Sequence, residues 1–199
     1  MSSPDTESAD RSEPVLPEGW MIGHIIRTML PLLATLSILQ MVSGTVLETF
    51  EEQLLTTPSL LVLVPVTIGT AGNLGSIMCS RLSTELHLGT LEFTPDNPAI
   101  RSNVGAVMGL AATVFVVLGL SAWAIGQVLG GTLALWKVML ISVTSGMLLA
   151  VFVVVVSITA VYSSFRLGYD PDDTTIPVVT NVSDITGVLI LFSVVSLVL

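Results

Sequence analysis

Charge is what this sequence has least of. Asp, Glu, Lys and Arg make up 11% of the residues, against 52% hydrophobic, and mean hydropathy is +0.90. A soluble domain carries about a quarter charged residues, so an ordinary soluble fold is excluded: too much apolar surface would need hiding. Positive charge is scarcer still, with 6 Lys plus Arg against 15 Asp plus Glu and a net charge of −9. Such a chain seeks neither nucleic acid nor anionic head groups. Cysteine occurs once, at Cys79, which excludes an internal disulfide and leaves a small packing residue. Histidine occurs twice, at His24 and His87. Neither has a Cys or His partner at metal-ligand spacing, so both read as membrane-interface residues, and without a cluster of His, Cys or Met a soft-metal or zinc-type site is not expected. A basic leader is lacking too: residues 1–19, MSSPDTESADRSEPVLPEG, read as a disordered acidic cytosolic tail. No nucleotide-binding motif occurs, and no nucleophile, base and orienting group can be placed together, so the chain does not read as an enzyme.

What the sequence does have is long apolar runs. Five can be marked off, at about Trp20–Leu47, Ser59–Leu82, Asn103–Leu129, Leu133–Phe165 and Ile176–Leu199. Each reaches the ~20 residues that cross a hydrocarbon core, and helices satisfy the backbone there. The fold class is therefore an all-α integral membrane protein with five transmembrane helices. Arg11, Arg27, Arg81, Arg101 and Arg166 fall on one side of these spans and Lys137 on the other. The positive-inside rule then places the N-terminus in the cytosol and the C-terminus outside, in a multi-pass protein of the cell membrane.

One carboxylate lies inside a span. Asp184 interrupts the fifth apolar run, at a cost of about 2.5–3.5 kcal/mol for a charge at a helix centre. Such residues face a bundle interior or a watery cavity and mark ion paths. Pro177, Asn181 and Asp184 are spaced four and three apart and share a face, which Gly187 continues, and Thr180 and Thr186 flank it. In the second span, Gly69, Gly72 and Gly75 surround Asn73, after Pro65. The glycines allow close helix approach, and the asparagine adds an amide oxygen. Gly105-x-x-x-Gly109 and Gly126-x-x-x-Gly130 in the third span, and Ser142, Thr144, Ser145 and Gly146 in the fourth, read as packing faces. Glu48, Glu51 and Glu52 read as one face at the C-terminal end of the first helix. There they oppose the helix dipole and would concentrate cations at an external mouth. Asp170-Pro171-Asp172-Asp173 reads as a cytosolic loop, acidic enough for an exit vestibule; the distal Glu of a Ca²⁺ loop is missing.

All these candidate ligands are oxygens. One carboxylate per chain is sparse for dehydrated Ca²⁺ but suits Mg²⁺, which keeps its water and is held through one or two carboxylates. Two chains paired about an axis would bring two Asp184 residues to one hydrated ion.

Several blocks together resemble the membrane domain of the MgtE magnesium channels and the related eukaryotic solute-carrier magnesium transporters. They are Phe50-Glu51, Pro65 through Gly72, Asn73 and Gly75, Ser80-Arg81-Leu82-Ser83-Thr84 with Gly89, Asp170-Pro171-Asp172-Asp173, Pro177, and Asp184-Ile185-Thr186-Gly187. The resemblance covers residues 20–199, read as one five-helix domain. It implies a subunit that dimerises around a central pore, with Asp184 at the position of the family's pore carboxylate binding hydrated Mg²⁺, the transported ion. Asn73 and Asn181 are implied as pore-side polar groups, and Glu51 joins the metal-handling candidates. The bacterial proteins resembled carry a large cytosolic sensor region before the first span, and the eukaryotic ones two membrane units per chain. This sequence is expected to act without the sensor, as a half-length unit pairing with itself or with a similar half-length subunit in the bilayer. The alternatives are another divalent cation (Co²⁺, Mn²⁺ or Ca²⁺) or an accessory half-subunit that needs a partner copy.

Overall fold

A computed structural model describes residues 22–94 and 96–199. The expectations for the tail of residues 1–19 and for the side chain of His24 fall outside what it describes. The elements are α1 (Ile22–Glu48), α2 (Glu51–Thr56), α3 (Pro58–His87), α4 (Pro98–Val128), α5 (Leu135–Leu167) and α6 (Pro171–Val198). All but the short α2 are long and apolar enough to cross a membrane, which makes the five spans expected. The helix ends follow local chemistry. Pro58, Pro98 and Pro171 each stand in a first turn, where the missing N–H costs nothing. Asn97 caps α4 by accepting from the Ala99 N–H at 2.8 Å, and Asp170 caps α6 by accepting from Asp172 N–H at 3.0 Å. Gly168 closes α5 in the left-handed conformation, at φ 75°.

Two boundaries differ from expectation. Asp170–Asp173 is not a loop: Asp170 is the N-cap of α6, Pro171 opens the helix, and Asp172 and Asp173 occupy its first turn. Carboxylates are stabilised there by the helix dipole. The three glutamates do not share one helix face either. α1 ends at Glu48, the chain turns at Thr49-Phe50, and Glu51 and Glu52 begin α2. Only Glu48 sits against the dipole of its helix, so the case for an unfavourably placed trio is withdrawn for Glu51 and Glu52.

α3 and α5 pack on each other and on both α4 and α6, so the four form a tight bundle. α4 lies on one side of the α3–α5 pair and α6 on the other, and α1 lies against α6. One apolar cluster, with Met78, Val107, Phe115 and Val153, fills one half of the bundle. A second, with Leu60, Ile141, Leu191 and Phe192, fills the other. Small residues set the close approaches. Gly119 of α4 faces Met139 and Ser142 of α5, Gly146 of α5 lies against the Phe115 ring, and Gly126 against Ser59. The buried Ser142 hydroxyl donates to the Phe115 carbonyl at 2.7 Å, joining α5 to α4. The expected Gly105–Gly109 face is not a packing face within the protomer, because a Cβ on either residue meets open space. Gly130 is a turn residue at φ 83° rather than part of a packing stripe.

Candidate functional site

Asp184 lies mid-way along α6, half-buried where α1, α3 and α6 come together. Gly72 of α3 makes the junction possible. A Cβ there would stand 3.1 Å from Thr180 Cγ2 and 3.6 Å from an Asp184 carboxylate oxygen. One turn along, a Cβ on Gly75 would meet Val179 Cγ1 at 2.6 Å. The two glycines thus let α3 and α6 close up around the carboxylate, as small residues do in membrane bundles. Gly69, the third glycine of that run, faces open space and takes no part.

The immediate partner of Asp184 is one that sequence reasoning missed. Gln40 of α1 donates its side-chain amide to an Asp184 carboxylate oxygen at 2.5 Å. The signal was available, because Gln40 is the lone amide in the apolar body of the first span. Beside the pair, Ser76 of α3 and Thr180 of α6 approach within 3.4 Å hydroxyl to hydroxyl, and Ser76 also donates to the Gly72 carbonyl at 3.0 Å. Among the described residues no Lys or Arg pairs with Asp184. The junction therefore offers one carboxylate, one amide and two hydroxyls, whose only metal-ligating atoms are oxygens, a set suited to a hard cation or its hydration shell.

The other expected site residues are placed differently. Asn181 is half-buried on α6 and donates its amide to the Pro177 carbonyl at 2.9 Å, the preceding turn of its own helix. Asn73 is exposed on α3 and, among the described residues, makes no side-chain hydrogen bond to the junction. It belongs to an exposed stripe with Val66, Gly69, Ile77 and Ser80, one residue round the helix from the buried Gly72. Gly187 packs into the bundle against Leu149 of α5 and Ile68 of α3, so it is a contact residue rather than part of an open face. Glu51 is exposed at the start of α2 and, with Glu48, edges a cavity that is otherwise apolar, lined by Leu47, Leu54 and Leu61. That region is tied to α6 by the Phe50 ring, stacked on Phe192 with centroids 4.0 Å apart. Phe192 is eight residues beyond Asp184, about 12 Å along a helix. The structure thus gathers Asp184, Gly72 and Thr180 with Gln40 and Ser76, and leaves Asn73 and Glu51 outside that group.

A second polar link joins α3 to α4 at the far end of the bundle. Arg81 donates to the fully buried Asn103 side chain at 2.5 Å, and Asn103 donates to Glu85 at 2.9 Å.

A family model described as MgtE, divalent cation transporter, matches residues 64–194, more than half of the chain. The matched stretch holds Gly72, Asn73, Asn181 and Asp184, whereas Gln40 and Glu51 precede it.

Proposed function

The chain belongs to the MgtE family of divalent cation transporters, and from that premise we propose that it moves hydrated Mg²⁺ across the cell membrane through a pore lined by Asp184 where two copies meet. One observation carries this reading: a mid-span carboxylate is met by an amide and lies beside hydroxyls, with no cationic partner among the described residues. A buried acid without a counter-ion is costly in lipid, and a passing cation removes that cost. The all-oxygen donor set favours a hard ion, and a single carboxylate favours one that keeps most of its water.

The need for a second copy is supported by the stripe that the protomer leaves uncovered. Asn73 presents an amide in mid-membrane without a hydrogen-bonding partner among the described residues, next to Gly69, which leaves room for close approach. A homodimer, or pairing with a similar half-length subunit, would cover this stripe and bring a second Asp184 to the axis. Asn73 and Asn181 then contribute amides to the pore wall, and Glu51 raises the local cation concentration at the mouth. Arg81, Arg101 and Arg166 belong to the end where α3 finishes, α4 begins and α5 finishes, and Lys137 to the other. By the positive-inside rule the first of these ends faces the cytosol.

The test is Mg²⁺ flux into liposomes holding this chain alone. The wild type is expected to conduct, and Asp184→Ala to lose at least 90% of the flux while reconstituting equally well. Unchanged flux in Asp184→Ala would remove Asp184 from the pore. Flux that appears only with a second half-length subunit would replace the homodimer by a heterodimer.

A further inference from the structure

Where α3 ends and α6 begins, three side chains with metal-binding atoms converge from two helices. His87 is the last residue of α3, Asp170 the N-cap of α6, and Asp172 lies in the first turn of α6. One ligand atom from each lies within 4.8 Å of the other two. All three residues are exposed, so modest side-chain rotation closes the set onto one ion without disturbing the core. Each keeps a free ligand atom. Asp170 spends Oδ1 on the Asp172 N–H at 3.0 Å, which leaves its second oxygen. His87 Nδ1 lies 2.9 Å from the Ser83 carbonyl and 4.0 Å from Asp172 Oδ2, so a turn of the exposed ring exchanges the carbonyl for an ion held with the aspartates. Among the described residues neither aspartate pairs with Lys or Arg. The C-terminal carbonyls of α3 add negative potential on the side opposite the α6 N-terminus. A cavity of about 350 Å³ bordered by His87, Tyr169 and Asp170 opens beside the cluster and gives room for water ligands.

We propose that His87, Asp170 and Asp172 form a second divalent-cation site, separate from Asp184, that takes a borderline transition ion such as Zn²⁺, Mn²⁺ or Co²⁺ with waters completing its shell. The imidazole sets the class, since nitrogen ligation favours these ions over Mg²⁺. Asp172 is twelve residues from Asp184 on the same helix, about 18 Å along its axis, so the two sites do not share ligands. An ion here clamps the end of α3 to the start of α6, the two helices that close around the mid-span carboxylate. The site is independent of which ion the pore carries.

Co²⁺ titration of the metal-stripped full chain in nanodiscs tests this, read by the visible absorption of ligated cobalt. The wild type is expected to show the absorption of nitrogen-ligated Co²⁺, saturating at one such ion per chain, and this component to persist in Asp184→Ala whatever that variant does to binding in the pore. Zn²⁺ should displace that ion, and equimolar Mg²⁺ should not. His87→Ala and Asp172→Asn, both at exposed positions, should weaken binding at least tenfold with unchanged melting temperatures. No saturable binding in the wild type, unchanged affinity in both cluster variants, loss of the nitrogen-ligated component in Asp184→Ala, or displacement by equimolar Mg²⁺ would each overturn the proposal.

Discussion

Gln40 holds one oxygen of the Asp184 carboxylate through an amide N–H, and a cation that reaches that carboxylate has to compete with it. A hydrogen bond to a charged group contributes about 1.5–3 kcal/mol, and 1.4 kcal/mol is tenfold in affinity. Gln40→Ala is therefore expected to lower the half-saturating Mg²⁺ concentration for flux by about tenfold. A rise instead would show that the amide orients the carboxylate for the ion. Gly75 gives a stability prediction at the same scale. A methyl there strikes Val179 at 2.6 Å and Val153 at 3.3 Å, and overpacking of this kind costs about 1–3 kcal/mol. Gly75→Ala should lower the melting temperature of the purified protein, whereas Gly69→Ala meets nothing within the protomer and should act through the subunit contact alone, weakening dimerisation and leaving the packing of α3 on α6 intact. Asp184 was legible in the sequence because a charge in an apolar run violates the solvent's preference on its own. Gln40 was equally visible but gives a weaker signal, since an uncharged amide costs less to bury and takes its meaning from a partner 144 residues away. Asn73 was legible as an oddity, but the side of α3 it occupies is fixed by packing, which hydropathy does not encode.

Among the elements, the long helices could be read from composition because lipid leaves the backbone few alternatives. The break between α1 and α2 could not. Thr49-Phe50 carries neither glycine nor proline, and the turn there is held by the distant Phe192 ring beneath Phe50. Phe50→Ala removes that stack from a half-buried ring and should cost about 2 kcal/mol. The expected readout is faster amide exchange across Thr49–Thr56, with α4 and α5 unchanged; uniform destabilisation would place the anchor elsewhere. The start of α6 is the opposite case. Asp, Pro and two further acids spell an N-cap, a first-turn proline and a dipole-compatible turn, although the same letters also serve a loop. The Gly105–Gly109 spacing misled for a general reason: two glycines four apart define a smooth face on any helix, and the neighbour that uses it is settled only in three dimensions.

For the whole molecule, the bundle of α3, α4, α5 and α6 is closed within the protomer, whereas the Asn73 stripe is not. A cysteine at position 73 in a Cys79→Ser background should give a disulfide-linked dimer on mild oxidation in membranes. Persistence of the monomer under oxidation would exclude this stripe from the subunit contact. The placement of α1 has a further consequence, for the order in which the protein is built. α1 packs chiefly against α6 and buries little of its own surface. On the ribosome, Gln40 emerges 144 residues ahead of Asp184, a delay on the order of 10 s at ordinary translation rates. Throughout that interval α1 stands in the bilayer without its eventual neighbour, while α3, α4 and α5 can already assemble. Its apolar sequence thus has to make it a stable span by itself, and its docking on α6 can only follow synthesis of the last span.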